Sequence, residues 1–217
     1  VEILKRVPPS TVQRLVLCHS LARRALDRGE AYLKSQDIAA LLRVDETQIR
    51  KDMAMVGIGG VQKRGYPVEA IVRRLEDLFA LRVEKLSALI GVGNLGRALL
   101  NYPGFAKYGV RIVCAFDKDP EKVGREIGGV LVYPLEALED VIPRFGVRMA
   151  ILAIPPSSAQ EIVDILVGLG VRGIWNFSSA LLQVPEGVAV RNECLESGLL
   201  LLLHEMRGDG RVPFPEK

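Results

Sequence analysis

The stretch Leu86-Ser87-Ala88-Leu89-Ile90-Gly91-Val92-Gly93-Asn94-Leu95-Gly96-Arg97-Ala98 constrains the fold most, because it reads as a buried strand entering a glycine turn that opens a helix. Gly91 permits the tight turn, Gly93 lets a pyrophosphate approach the backbone, and Gly96 lets the helix pack closely on its strand. Val92, Asn94 and Leu95 complete the cradle at the helix N-terminus, where free N–H groups meet phosphates. A second apolar run, Arg111-Ile112-Val113-Cys114-Ala115-Phe116, ends in Asp117, at the distance past the glycines where an acid that holds the ribose hydroxyls is expected. Such an acid favours NAD(H) over NADP(H), although Lys118 and Lys122 bring cations beside it. Glycines alone also occur in structural turns of other α/β domains.

Too much chain precedes this cradle for a simple tail, so two domains are expected. After it, apolar strands at 130–132, 148–154 and 171–175 alternate with helical stretches carrying Leu135, Leu138, Ile162, Ile165 and Leu166. That alternation is a Rossmann-type, doubly wound parallel sheet. Ligands of such sheets sit beyond the carboxyl ends of the strands, which makes Ala153-Ile154-Pro155 and Asn176-Phe177-Ser178 candidates for the nicotinamide end, or else ordinary loop punctuation and packing. A last edge strand is expected at 188–190, then a helix over 193–206. Its leucine-rich face is too apolar for solvent and must be covered by a partner subunit or by its own domain.

The N-terminal half differs in charge. Residues 1–85 hold 16 Lys+Arg against 11 Asp+Glu, while the rest holds 13 against 15. A basic front on a nearly neutral body suits a polyanionic partner, and a solvated basic face has the same signature. A first helix runs from Pro8-Pro9-Ser10 to Gly29, with His19 read as a packed core histidine. Ser35 is expected to cap a second helix. Asp45 and Gln48, three residues apart, suggest a capping box opening a third. Two short helices joined tightly, the second carrying Gln48, Arg50 and Lys51, are arranged as a recognition helix is for a major groove. The glycine-rich 57–66 segment then reads as a wing that presents Lys63 and Arg64 to the duplex. Another helix follows Pro67, with Arg73, Arg74, Glu76 and Asp77 outward, and ends at a charged linker over 82–85. The alternative is any small three-helix domain with a basic loop.

The cysteines, Cys18, Cys114 and Cys194, form no metal-spaced cluster, and each is expected as a small core residue in a reducing compartment. Neither a signal peptide at 1–9 nor a membrane span is legible, so a cytoplasmic protein with no membrane partner is expected. No metal ligands or catalytic residues are assigned.

In order along nearly the whole chain, Pro8-Pro9-Ser10, Gln48-Ile49-Arg50-Lys51-Asp52, Gly65-Tyr66, the 91–96 cradle, Asn101-Tyr102-Pro103-Gly104-Phe105, Phe116-Asp117-Lys118-Asp119-Pro120-Glu121-Lys122-Val123-Gly124 and Gly173-Ile174-Trp175-Asn176-Phe177 resemble the blocks of the Rex family of redox-sensing transcriptional repressors. The resemblance implies a winged helix-turn-helix domain over 1–82, a Rossmann NAD(H)-binding domain over 86–191 and a C-terminal dimerisation helix over 192–208, swapped between the subunits of a homodimer. It implies a repressor, not an enzyme, that binds double-stranded operator DNA and is released when NADH binds. It also places Lys122 on the adenosine side and makes Tyr102 part of a signalling link with an arginine and an aspartate.

The sequence departs from the family at several places. Ala54-Met55-Val56-Gly57 follows the Arg-Lys-Asp segment, the wing's basic pair stands nearer Tyr66, and Ser178-Ser179 follows Asn176-Phe177. The arginine of the link is Ser20 here and the aspartate is Cys194, with Glu193 and Arg23 or Arg24 as neighbouring replacements. Two other readings follow from the residues: an NAD(H)-dependent oxidoreductase, which needs a proton donor that neither His19 nor His204 offers at a strand end, and a nucleotide sensor that has lost DNA binding.

Overall fold

The computed structural model describes residues 7–208, which divide into two compact units between Val83 and Glu84. In the first unit, helix α1 (Pro9–Asp27) starts on a proline, whose missing N–H costs nothing at that position. Its Leu15, Cys18, Ala22 and Ala25 recur at helical spacing and are all buried. Strand β1 (Tyr32–Leu33) leads into α2 (Ser35–Leu42), and the tight connection to α3 (Glu46–Met55) is made by Arg43 in the left-handed conformation at φ 54°. Strand β2 (Tyr66–Pro67) pairs antiparallel with β1, and α4 (Val68–Leu78) closes the unit. Ile38, Ile49, Met53, Ile71 and Leu75 interlock with Leu15 in one core.

Local details correct the sequence reading. Lys34, not Ser35, is the N-cap of α2, and the Ser35 hydroxyl instead donates to Glu46 at 2.6 Å, tying the two helix starts together. The capping box of α3 is half made. The Asp45 carboxylate accepts from the Thr47 N–H at 2.7 Å, but the Gln48 amide reaches forward one turn to Asp52. Arg74 is half-buried rather than outward and donates to the carbonyl of Val56 at 2.6 Å, holding the end of α3 against α4.

In the second unit, seven strands lie in the order β5-β6-β4-β3-β7-β8-β9: β3 (Lys85–Ile90), β4 (Val110–Asp117), β5 (Glu126–Ile127), β6 (Val130–Pro134), β7 (Met149–Leu152), β8 (Gly173–Asn176) and β9 (Ala189–Asn192). All pairs are parallel except β5 with β6, a hairpin whose turn at Gly128-Gly129 has positive φ at both residues. The helices are α5 (Asn94–Leu100), α6 (Leu138–Phe145), α7 (Pro156–Gly168) and α8 (Leu195–Gly208), with a 3-10 turn at Pro103–Tyr108. The expected strand over 148–154 stops at Leu152 because Pro155 and Pro156 commit the chain to α7. Because β3 is flanked by β4 on one side and β7 on the other, the chain leaves it in both directions, and a crevice opens at the carboxyl ends there. In α8 the side chains of Leu199, Leu200, Leu201 and Leu202 are all more than half exposed. Cys18 and Cys114 are core residues, as expected, but Cys194 is exposed at the start of α8 and donates to Glu196 at 3.2 Å.

Candidate nucleotide and nucleic-acid sites

The glycine turn between β3 and α5 is built by exclusion. A Cβ on Gly91, whose φ is 92°, would run into the carbonyl oxygen of Ala153, and a Cβ on Gly96 would strike the carbonyl oxygen of Gly91. At Gly93 a Cβ would meet nothing within 4 Å, so its lack of a side chain leaves the backbone open to an approaching group. These glycines fit a pyrophosphate, two shaping the turn and one exposing it.

Asp117 ends β4 beside this turn and is 8% exposed. One carboxylate oxygen accepts from the Val92 N–H at 2.7 Å and from the Lys122 ammonium at 3.3 Å, and the other accepts from the Asp119 N–H at 2.9 Å. Burial pushes this carboxyl up, but the two backbone N–H groups and Lys122 outweigh it and hold Asp117 below the usual carboxylate range. Lys122 is desolvated in turn, and its contacts with Asp119 and Asp117 nevertheless raise it. Asp117 is thus an ionised acceptor that also latches the glycine turn to the neighbouring strand.

Gly91, Gly93, Asp117, Lys122, Ala153 and Pro155 come together around one cavity of about 480 Å³. The remaining cradle residues serve the backbone around it: Val92 is buried, Gly96 packs against the turn, and Asn94 and Leu95 open α5. Asn176 stands apart. Its amide donates to the Ala180 carbonyl and to Asn192, both at 2.9 Å, and accepts from Ser178, so its polar capacity is committed within the β8–β9 end rather than to the cavity. The far wall, from Leu135, Leu138, Ile162 and Ile165, is an apolar slot that the sequence reading placed in helices without assigning it to a site. Only Leu135, directly after β6, carried a positional signal, since Leu138 opens α6 and Ile162 and Ile165 lie inside α7. Lys118 also lines the cavity.

The second site lies on the first unit. A concavity of about 630 Å³ is lined by Lys34, Ser35, Glu46, Arg50, Lys63 and Tyr66, among others, so the starts of α2 and α3 and the wing converge. The wing is a tight turn closed by a Val61–Gly65 bridge, with Lys63 in the left-handed region at φ 64°. A Cβ on Gly65 would collide with the Leu33 carbonyl, which fastens the wing to β1. Arg64 lies 5.7 Å from the Tyr32 ring centre, and Lys51 is exposed on α3. Arg50 pairs with Glu46 at 2.6 Å. Lys34 is a basic residue of this concavity that the sequence reading missed, because an isolated lysine before a helix carries no motif.

Behind that surface, Asp52 is 1% exposed and accepts from Arg14 at 2.6 and 2.9 Å, from Gln48 at 2.8 Å and from Thr11 at 3.3 Å. Burial works to raise this carboxyl, and the hydrogen bonds from Arg14, Gln48 and Thr11 win and hold it down. The recognition-helix candidate is therefore bolted to α1 through a bidentate guanidinium–carboxylate pair, and Gln48 is part of the bolt.

Comparison with known proteins gives two family matches, "CoA binding domain" over residues 84–180 and "Putative DNA-binding protein N-terminus" over residues 6–54. The redox-sensing transcriptional repressor Rex of Roseiflexus sp. (strain RS-1) is 38% identical over 188 residues, covering 87% of this chain and 86% of that protein. Its counterpart from Treponema denticola is 36% identical, covering 91% and 95%. The chain belongs to the Rex family. Solved structures agree: RSP, a Rex-family repressor, in complex with β-NAD+ and operator DNA matches at TM-score 0.87 and 32% identity over 94% of both chains. RSP in complex with β-NADH matches at TM-score 0.85 and 30% identity, over 94% of this chain and 96% of that one. These Rex relatives are regulators rather than enzymes, and the oxidoreductase reading is set aside.

Against the Rex pattern, the three signalling positions are placed as follows. Tyr102 is 56% exposed, with its ring 5.0 Å from that of Phe105. Ser20 is half-buried on α1, and Cys194 precedes α8. Of the residues suggested as replacements, Arg23 lies 3.4 Å from Glu76 in the first unit, and Glu193 accepts from Arg191 and from the Trp175 indole, each at 3.2 Å, in the second.

Proposed function

We propose that this chain is a redox-responsive transcriptional repressor that binds operator DNA as a homodimer and is released when NADH occupies its second unit. The observation that carries the reading is the convergence of Gly91, Gly93 and Asp117 on one cavity whose other wall is lined by the apolar side chains Leu135, Leu138, Ile162 and Ile165. In the same chain, a recognition helix and wing surround a basic concavity. Gly91, Val92, Gly93, Asn94, Leu95 and Gly96 would hold the pyrophosphate, Asp117 the adenosine ribose with Lys122 beside it, and Ala153 and Pro155 the path toward the nicotinamide. When bound, the nicotinamide supplies only its redox state, as a signal.

Arg50, Lys51, Lys63 and Arg64 are the DNA contacts in this reading. Gln48 contributes through its carbonyl oxygen while its NH2 stays on Asp52. Domain limits of 1–82, 86–191 and 192–208 follow, with the last segment joining two subunits. Four leucines of α8 exposed in the single chain, and a shallow apolar face over Met149, Gly173, Trp175 and Val190, support a second copy as their cover. Among the described residues no helix is long and apolar enough to cross a membrane, and a cytoplasmic location belongs to this proposal.

The test is a duplex selected from a random-sequence library by the nucleotide-free protein, then challenged in a gel shift with NADH. Release by NADH supports the reading. Selection of no duplex would leave a nucleotide sensor without DNA binding, the reading that Arg50 held on Glu46 and Gln48 held on Asp52 would then favour.

A further inference from the structure

A chain of contacts outside the cavity is not used by the function just proposed. The Tyr102 ring lies 5.0 Å from Phe105, Phe105 lies 5.8 Å from Trp175, and Trp175 lies 4.9 Å from Phe177. Phe177 follows β8 directly, and its N–H donates to the Leu152 carbonyl at 2.9 Å, one residue before the cavity-lining Ala153. The aromatic stack therefore ends beside the crevice. On its other side, the indole N–H of Trp175 donates to the Glu193 carboxylate at 3.2 Å, and the same oxygen accepts from Arg191 at 3.2 Å. The Glu193 N–H is itself fixed, donating to the Asn176 carbonyl at 2.8 Å. Two residues later α8 begins.

We propose that Glu193 is a positioning residue that carries the state of the aromatic stack to the C-terminal helix. The proposal rests on the nucleotide reading above. A nucleotide reaching past Ala153 meets Phe177 and presses on the ring behind it. The Trp175 N–H is held by a charged acceptor, so a shift of the ring either drags the Glu193 side chain or breaks a charge-assisted hydrogen bond. Because the Glu193 backbone is the last rung of the β8–β9 ladder, a dragged side chain acts on the segment entering α8. A nucleotide form that places the ring differently then has a differential interaction with two arrangements of α8, which is what coupling requires.

Trp175 is the sole tryptophan of the chain, so its emission reports this contact directly. The experiment uses the full chain, with NADH and the selected duplex as probes, and the variants Glu193→Ala, Glu193→Gln and Trp175→Phe. Glu193→Ala is expected to bind NADH within about twofold of the wild type while the NADH-induced loss of DNA affinity shrinks by about tenfold. Its tryptophan emission maximum shifts before any nucleotide is added. Glu193→Gln, whose amide oxygen still accepts the indole proton, restores most of the response. Trp175→Phe keeps a ring and removes the donor, and it is expected to reproduce Glu193→Ala, which keeps the test decisive if the alanine variant fails to fold. A Glu193→Ala or Trp175→Phe protein that releases DNA at the wild-type NADH concentration overturns the proposal alone, as does failure of Glu193→Gln to rescue. A wild-type protein that binds no NADH overturns the nucleotide reading, and the proposal with it.

Discussion

Asp52 and Asp117 are the two nearly buried aspartates of the described residues, one in each unit, and both are held ionised against desolvation. They are held by different means. Asp52 is neutralised by a side chain, the Arg14 guanidinium, and crosslinks two helices. Asp117 is neutralised chiefly by backbone N–H groups of its own turn and of the glycine cradle. The first arrangement can be dismantled by one substitution at a distant position in sequence. The second is built largely into the path of the chain, and substituting Lys122, its one side-chain donor, leaves the two backbone donors in place. The proposed DNA-binding surface thus depends on a side-chain network, and the proposed nucleotide site chiefly on backbone geometry.

The largest expected effect breaks the first arrangement. Arg14→Ala strands a buried carboxylate and should destabilise the first unit by about 3–5 kcal/mol, read as a loss of DNA binding and an early melting transition, while NADH affinity stays intact. The equivalent change in the second unit is milder. Asp117→Ala leaves the Val92 N–H unpaired and removes the proposed ribose acceptor, so NADH affinity should fall by about 1.5–3 kcal/mol in calorimetry, with the preference over NADPH lost. Equal affinities of the wild type for NADH and NADPH would remove Asp117 from that role.

That contrast also explains what the sequence made legible. The glycine cradle, the acid ending β4 and the strand–helix alternation are local patterns in which each residue type answers a backbone requirement, and all were readable. The Arg14–Asp52 bolt joins residues 38 apart in sequence and has no local signature. For the same reason Gln48 was read as a capping-box partner when it serves Asp52, and Ser35 as a cap when it bonds Glu46. Asn176 was assigned to the pocket from its place after a strand. Only the β9 residue Asn192 and the loop carbonyl of Ala180, brought alongside by folding, show why it turns inward.

Smaller effects sharpen the picture of the DNA surface. Arg50→Ala should cost about 1–3 kcal/mol with relaxed base preference if Arg50 reads a base, whereas Lys63→Ala should weaken all duplexes alike and lower the salt slope by about one. Measured affinities over a salt series separate the two. The smallest effect is on pH. His19 is buried against α4 with its Nε2 lacking a hydrogen bond, 3.8 Å from Glu76, and burial lowers its pKa from 6.5. The unfolded chain then binds the proton more readily, so stability is full above about pH 6.5 and falls as the pH drops from there toward the lower folded value. His19→Gln should flatten that slope in denaturant titrations between pH 7 and pH 5.

The central claim is that nucleotide redox state in the second unit controls DNA held by the first. The direct measurement is fluorescence anisotropy of the selected duplex bound to the full chain, titrated at fixed salt with NADH and, separately, with NAD. NADH is expected to release the duplex while NAD does little, because only a ligand that binds two states unequally shifts their balance. Release by NAD as readily as by NADH, or by neither, would contradict the account.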